Sequence, residues 1–409
     1  MLASKAAPLE FVEWFEAHSL SATHDLASSS VSPISLGELL NISESRGESE
    51  EKIGLNNIKL KEKDHPAGNV DFRRNLAALY SARSGGVTED DIVVTNGAVP
   101  AQYTVFHSLL EPADHVICQH PVDELLYKLP ASLGVEVTLW DADPAKKWQL
   151  DIEGLKLLIK DNTRMIVIQS PCDPTGAIVP KATLEALVQV AEEKGILLLA
   201  DETYRPLFHS ILPSSDDFPP STVNMGYRKA IVTGAISKAY SLAGVRAGWI
   251  TCKDKAIIDA CKQTRRYTSM SASKLDEAVA AEAVSDRCIH ALLGRNIRLT
   301  QTNLELLQGF IDSHSWACSW VKPLAGTTAL IKFHKMGKPV DDEAFCLGLL
   351  EKEGVLISPA SKCFGDKQKF RGHVRVAFGG STSDLKAALE AWSRFMEENY
   401  ESVPTVSSK

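Results

Sequence analysis

Short apolar runs alternate with amphipathic segments along the middle of the chain, from about residue 70 to residue 253. Strands that are buried on both faces read as continuous apolar runs, and helical connections between them make the strands parallel. The pattern therefore predicts an α/β fold, with a mostly parallel sheet between helices. The predicted strands are Asp91–Thr95, His115–Cys118, Val135–Leu139, Met165–Gln169, Ile196–Ala200, Ala230–Ile236 and Ala247–Thr251. The predicted helices between them are Asp71–Arg83, Val99–Leu110, Glu124–Leu133, Ile152–Ile159 and Lys181–Lys194.

The two ends of the chain depart from this alternation. The beginning reads as an arm, with one amphipathic helix at Pro8–His18, a serine-rich loop and a charged segment. After residue 253 long helices are followed by two strand-like runs and two further helices. A chain of 409 residues exceeds one ordinary compact domain. We expect an arm at 1–65 that belongs to the smaller domain, a large α/β domain at 66–275 and a small α+β domain at 276–409.

Charge and hydropathy narrow the possible partners. The chain carries 44 lysines and arginines against 52 aspartates and glutamates, a formal net charge of -8. Nucleic acids and anionic membranes are bound by clustered cations, so we expect neither as a partner. No apolar run reaches the length of a membrane-spanning helix, and the acidic residues near the start are not typical of a secretory signal.

The eight cysteines show no CxxC pair and no regular spacing. A zinc site or a disulfide framework needs such a pattern, so we expect free thiols and no metal. Free thiols are typical of a reducing compartment, and we predict a cytoplasmic location.

Candidate chemistry lies where predicted strands end, the edge at which open α/β sheets bind ligands. In TNGAVPAQ, residues 95–102, a strand passes through small residues into a helix, whose free N–H groups can bind phosphate. In LLLADETY, residues 197–204, Asp201 directly follows a buried strand, where a carboxylate needs a partner such as a pyridinium N–H. Taken alone, the first motif is also typical of a tight turn, and an aspartate at the position of Asp201 is also typical of a helix N-cap.

Three cations complete the candidate site. GAISKAYSLAGVRAGWI, residues 234–250, places Lys238 just after an apolar run and Arg246 farther along. Arginine suits phosphate recognition, and a lysine amine beside it can form an imine with an aldehyde cofactor. Arg375 alternates with apolar residues in HVRVAF, so it pairs with an internal acid or faces a substrate carboxylate. Together these features predict pyridoxal phosphate as the cofactor.

The same motifs resemble those of class I/II aminotransferases in the pyridoxal-phosphate fold-type I superfamily, from about residue 25 to residue 399. SKAYSLAGVRAGW is the most specific match; GNVDFRRNLAALY, DPTG, ADETY and HVRVAF match further elements. HPVDELLYKLPASLGVEV and SSSVSPISLGEL are most similar to the capreomycidine-synthase-like subgroup. The resemblance implies a large domain with a mostly parallel seven-stranded sheet, a small C-terminal α+β domain and a homodimer.

The resemblance also implies a role for each matched residue. Lys238 would carry the cofactor as an internal aldimine and act as acid and base. Asp201 would pair with the pyridine nitrogen, and Tyr204 would hydrogen-bond the phenolic oxygen. Arg375 would bind the α-carboxylate of an amino-acid substrate. Further cofactor contacts are assigned to Gly97, Ala98, Val99, Asp123, Asp173, Ser237 and Arg246, and a further substrate contact to Ser32.

Four positions depart from the family's pattern. Asp123 stands where an aromatic residue usually stacks on the cofactor ring, and Asp173 replaces the asparagine of NPTG. Ala235 replaces a phosphate-binding hydroxyl, and Asp64 with His65 replaces a tyrosine that reaches the neighbouring subunit's phosphate. An ionised carboxylate cannot donate a hydrogen bond to a phenolic oxygen. We therefore hypothesise that Asp173 is protonated, or that it disfavours simple transamination.

These departures leave three functions open. The main prediction is an aminotransferase-like enzyme whose partners are an amino acid and a keto acid. The alternative is a pyridoxal-phosphate lyase or cyclase of specialised metabolism, because an altered ring environment can redirect the chemistry towards elimination, replacement or ring closure. The third is a degenerate paralogue without catalytic activity.

Overall fold

The structure is a computed structural model that describes residues 7–54, 56–60, 65–81, 86–365 and 368–406. Its N-terminal arm contains more regular structure than the pattern predicts, because two short helices occupy the serine-rich and charged segments. A glutamate that follows Ser35 by three residues completes a capping box at the start of the first of them. The elements are α1 (Glu10–His18), β1 (His24–Asp25), α2 (Leu36–Asn41) and α3 (Arg46–Ile53).

The middle of the chain follows the predicted alternation to within a few residues at each boundary. Its strands are β2 (Ile92–Thr95), β3 (His115–His120), β4 (Glu136–Asp141), β5 (Thr163–Gln169), β6 (Leu197–Asp201), β7 (Ala230–Ala235) and β8 (Gly248–Cys252). Its helices are α4 (Val70–Ser81), α5 (Ala98–Leu109), α6 (Leu125–Ser132), α7 (Ile152–Leu158), α8 (Lys181–Lys194), α9 (Lys255–Arg265) and α10 (Lys274–Ala283).

These seven strands form one sheet in the order β2-β8-β7-β6-β5-β3-β4. Every neighbouring pair is parallel except those of β8, which runs antiparallel to β2 and to β7. The predicted α/β fold with a mostly parallel seven-stranded sheet is therefore confirmed. Alternate side chains enter opposite layers of core: Leu199 and Ile231 pack on one face, and Leu198 and Val232 on the other.

A second, five-stranded sheet is built from the C-terminal part of the chain. Its central order is β11-β10-β14-β13, and β9 also pairs with β10. The strands are β9 (Cys318–Trp320), β10 (Thr328–Lys335), β11 (Lys338–Pro339), β12 (Val355–Leu356), β13 (Ser358–Pro359) and β14 (His373–Ala377), of which β12 lies outside this sheet. The helices are α11 (Ile289–Ser313), α12 (Asp342–Glu353), α13 (Ala360–Cys363) and α14 (Thr382–Glu398).

The arm joins the C-terminal part through backbone pairing. Strand β1 lies parallel to β12, and the arm continues with Leu26 donating to Leu356 O and accepting from Ala377 N. This pairing agrees with an arm that belongs to the smaller domain, while the boundaries at residues 65 and 275 stay predictions. All eight cysteines are buried free thiols. Within the described residues, no helix has both the length and the apolar character needed to cross a membrane.

Candidate active site

Six strand ends and one strand start meet at a single edge of the large sheet. The carboxyl ends of β2 to β7 point the same way, and the antiparallel β8 begins at this edge. Asp201 is the last residue of β6, Lys238 follows β7, and Arg246 lies two residues before β8. They line one cavity of about 250 Å³, together with Asp123 and Tyr204.

Lys238 lies within this cavity beside the N-terminal arm. Its Nζ donates to Ser29 Oγ at 2.6 Å. Burial lowers the pKa of Lys238, although the carboxylates of Asp173 and Asp123 oppose that shift. A buried lysine with a lowered pKa is held closer to its neutral form, which is the nucleophilic and basic form of an amine.

Asp201 is buried among neutral hydrogen-bond donors. Its carboxylate accepts from Gln169 Nε2 at 2.7 Å, from Thr203 Oγ1 at 2.6 Å and from Thr233 Oγ1 at 3.0 Å. Burial raises the pKa of Asp201, and these hydrogen bonds hold it down only in part. Beside it, Gln102 Oε1 is buried without a partner among the described residues.

Arg246 lies against the start of helix α5. Its Nη1 donates to Ser237 Oγ at 3.3 Å and to Ala243 O at 2.9 Å. Gly97 precedes the helix with φ +103°, and a Cβ at this position would lie 2.7 Å from Arg246 Nη2. Glycine therefore permits both the backbone turn and the close approach of the guanidinium. The N–H groups of Ala98 and Val99 belong to the first turn, where an α-helix provides no internal acceptors.

Asp173 and Arg375 form a buried ion pair at the other end of the site. Arg375 Nε donates to Asp173 Oδ1 at 2.7 Å, and Nη2 donates to Oδ2 at 2.8 Å. Tyr204 Oη donates to the same Oδ2 at 2.7 Å. Burial alone raises the pKa of Asp173, but the charge and hydrogen bonds of Arg375 outweigh it, and the pKa is lowered. The lowered pKa favours the ionised form of Asp173, contrary to the hypothesis that Asp173 is protonated.

Arg375 is enclosed on its remaining sides by the arm. Its third nitrogen, Nη1, donates to Ala27 O at 2.8 Å, and the Phe11 ring centroid lies 4.6 Å from the guanidinium carbon. The side chain is 2% exposed. Of the two alternatives that the sequence leaves open for Arg375, this structure shows the pairing with an internal acid.

Asp123 follows strand β3 and turns into the cavity. Its Oδ1 accepts from Leu125 N at 3.0 Å. Burial and the neighbouring charge of Asp173 raise the pKa of Asp123 to about 6, while Lys238 lowers it. A carboxyl group of this kind changes charge close to neutral pH.

The family assignment rests on most of the chain. The family model described as aminotransferase class I and II matches residues 50–391.

The chain belongs to the aminotransferase class I and II family.

Similar proteins include a synthase, an aminotransferase and a cyclase. The capreomycidine synthase of Streptomyces vinaceus is 28% identical over 392 residues, covering 95% of this chain and 93% of that protein. A PLP-dependent aminotransferase from Streptococcus suis superposes with a TM-score of 0.85 at 33% identity, over 96% of this chain and 98% of that one. The PLP-dependent cyclase OrfR superposes with a TM-score of 0.83 at 26% identity, over 97% of this chain and 99% of that one.

As a class I and II aminotransferase, the protein is a pyridoxal-phosphate-dependent transferase of the fold-type I architecture. The residues of the cavity fit this cofactor. Arg246 and the start of α5 provide donors for a phosphate, and the absence of a side chain at Gly97 keeps these donors together. Asp201 provides a buried acceptor without a cationic partner, which suits a protonated ring nitrogen. Lys238 provides the amine for covalent attachment.

Ser32 is absent from the cavity lining, and its backbone is held by Gly379 O at 2.7 Å; Ser29 and Ser30 reach the cavity instead. Asp64 lies outside the described residues. His65 accepts from Ala67 N at 3.1 Å and contacts Arg73, within its own chain.

Sequence reasoning missed three further groups of contacts: Ser29, the amides Gln102 and Gln169, and the threonines that hold Asp201. Gln169 could have been found from the sequence, because it is a polar residue at the end of an apolar strand, four residues before the first residue of DPTG. Ser29 carried none, since it stands in a run of three serines. A larger apolar cavity of about 500 Å³, lined in part by Tyr80 and Leu293, contains none of the predicted site residues.

Proposed function

We propose that the protein transfers the amino group of an amino acid to a keto acid, and that Lys238 moves the proton at the substrate's α-carbon. The observation that carries this proposal is the lysine amine with a lowered pKa in the same buried cavity as Asp201. Bound pyridoxal phosphate supplies the aldehyde that captures the substrate amine and the electron sink that weakens its Cα–H bond. A positioned acid/base group typically contributes about 10²–10⁴ in rate.

The other residues have supporting parts in this proposal. Asp201 keeps a proton on the ring nitrogen, because a buried carboxylate favours a cationic partner. Arg246, Ser237 and the start of α5 would hold the phosphate. Tyr204 would donate to the phenolic oxygen in exchange for the hydrogen bond that it donates to Asp173 in this structure. Arg375 is the candidate receptor for a substrate carboxylate.

A lyase or cyclase is the second candidate. It is favoured by the ionised Asp173, which offers no donor to a phenolic oxygen, and by Asp123, a titratable group in place of a ring-stacking aromatic. One of the similar proteins carries such a name, the PLP-dependent cyclase OrfR.

Product analysis separates these candidates. Holoprotein is incubated with a panel of amino acids, with and without a keto acid, and products are identified by mass spectrometry. Transamination gives a keto acid from the substrate and a new amino acid from the acceptor. Elimination or ring closure gives products without any acceptor. Protein that stays colourless after addition of pyridoxal phosphate supports the non-catalytic paralogue instead.

The proposal includes a homodimer in the cytoplasm. The homodimer is supported by the family resemblance, and the location by eight free thiols. Light scattering coupled to size-exclusion chromatography tests the dimer, for which the mass would be twice the 44.6 kDa of one chain.

A further inference from the structure

The receptor for a substrate carboxylate is already filled by a carboxylate of the protein itself. All three guanidinium nitrogens of Arg375 donate, two of them to Asp173 and one to Ala27 O. Asp173 is 6% exposed and Arg375 is 2% exposed. In such a buried, bidentate pair the positive charge is neutralised where it stands.

An incoming carboxylate therefore meets a receptor that has no net charge. It has two ways to bind: it displaces Asp173, or it shares the guanidinium with it. Displacement leaves a buried anion unpaired, and sharing brings two like charges together. Asp123 adds a further acidic group that interacts with the same pair.

We propose that Asp173 is a specificity-determining residue, which holds Arg375 as an internal carboxylate and so weakens the recognition of a substrate's α-carboxylate. The inference rests on the proposed function, in which Arg375 is the carboxylate receptor. Its consequence is that the amine and the side chain of the substrate contribute most of the binding free energy, and that the α-carboxylate contributes little.

Glycine and methylamine test this inference, because they differ only in the carboxylate and place no demand on a side-chain pocket. Their dissociation constants for the holoprotein are measured from the absorbance change of bound pyridoxal phosphate, and each is corrected for the fraction of neutral amine. In wild type, we expect glycine to bind less than tenfold more tightly than methylamine. A preference for glycine above tenfold would overturn the inference.

Asp173→Asn keeps the shape of the side chain and removes its charge. We expect the preference for glycine over methylamine to rise at least tenfold in this variant, and the gain to be lost when Arg375→Gln is added. An unchanged preference would overturn the inference. Asp173→Ser removes the same charge with a smaller side chain and replaces the first variant if that one does not fold.

Tyr204→Phe is the matched control, because it removes a neutral hydrogen bond to the same carboxylate at 2.7 Å and leaves the charge in place. We expect the preference to stay within threefold of wild type, while both dissociation constants change together. A gain as large as that of Asp173→Asn would assign the effect to packing and overturn the inference. Failure of the proposed function appears separately, as wild-type protein that acquires no cofactor absorbance before either ligand is added.

Discussion

Asp201 and Asp173 show how one residue type behaves differently at two ends of the same site. Both are buried, and both lie at the carboxyl edge of neighbouring strands, β6 and β5. Asp201 has neutral amide and hydroxyl partners, and its pKa is raised by burial. Asp173 has a bidentate arginine, and its pKa is lowered. The difference teaches that partners, more than burial, decide the charge of an interior carboxylate.

The two ends also differ in how they follow the family's pattern. The cofactor end keeps the lysine, the acid and the arginine of the resemblance. It also has two departures, Asp123 in place of a ring-stacking aromatic residue and Ala235 in place of a phosphate-binding hydroxyl. The substrate end has an aspartate, Asp173, in place of an asparagine. The cofactor end therefore provides a carboxylate for a cationic ring nitrogen and donors for a phosphate. At the substrate end, Arg375 is already paired with Asp173. The following predictions test this division, starting from the largest expected effect.

Lys238→Ala should remove covalent attachment of the cofactor and lower turnover by about 10²–10⁴, because the amine that forms the imine and moves the proton is lost. Borohydride reduction followed by peptide mapping measures the attachment. Lys156→Ala, at an exposed lysine that contacts Glu153, is the control and should be labelled like wild type. Labelling of a lysine other than Lys238 in wild-type protein would show that Lys238 does not carry the cofactor, and the described cofactor end would then be wrong.

Asp201→Asn should lower turnover by about 10²–10³, the usual effect of removing one preorganised electrostatic partner. Asp173→Asn should lower it by less than tenfold, since that carboxylate serves Arg375 and not the ring. Steady-state kinetics on cofactor-saturated protein compares the two variants. Equal losses of turnover in the two variants would contradict the different roles described for Asp201 and Asp173.

Gly97→Ala should weaken cofactor binding by about tenfold, because the new Cβ would lie 2.7 Å from Arg246 Nη2. The measurement is the dissociation constant of pyridoxal phosphate, obtained by titrating apoprotein. Gly226→Ala is a matched control, because Gly226 has φ +90° and no atom within 4 Å of the added Cβ. It shares the backbone strain without the contact to Arg246, and similar losses in both variants would assign the effect to strain.

Asp123→Asn should change how stability depends on pH. The pKa of Asp123 is raised to about 6 from the ordinary 3.8, so the folded protein binds this proton more tightly than the unfolded chain. The free energy of unfolding therefore falls as pH rises through this window, and asparagine removes that fall. The variant's stability relative to wild type should be greater at about pH 7 than at about pH 5. Denaturant titrations of both proteins at both pH values measure the free energies of unfolding. If variant and wild type differed by the same amount at both pH values, the raised pKa of Asp123 would be contradicted.

The large sheet could be predicted because each of its strands is recognisable in the sequence as a short apolar run. A strand such as Leu197–Asp201 has core on both faces, so its apolar run is unbroken until the carboxylate that ends it. Helices between such runs fix the parallel arrangement, and the strand ends then identify the functional edge. Lys238, Asp201 and Arg246 were found in this way, and the structure brings them to one cavity.

The substrate end could not be predicted from local patterns, because its contacts join distant parts of the chain. Asp173 and Arg375 are 202 positions apart, and Lys238 and Ser29 are 209 apart. Nothing in the sequence next to Asp173 shows that an arginine will reach it, so the ion pair could not be predicted from the local sequence. The serines at 28–30 share one composition, and only the packed arm determines which of them touches the lysine.

The N-terminal arm forms part of the wall of the active-site cavity. Glu124 accepts the backbone N–H groups of Glu10 and Phe11 at 2.9 and 2.8 Å, so α1 is anchored beside α6. From that anchor the arm runs past Arg375 to Lys238. Removal of residues 7–30 would take away Ser29, which accepts from the Lys238 amine, together with Ala27 and Phe11, which contact the Arg375 guanidinium, and both cations would become more exposed to water.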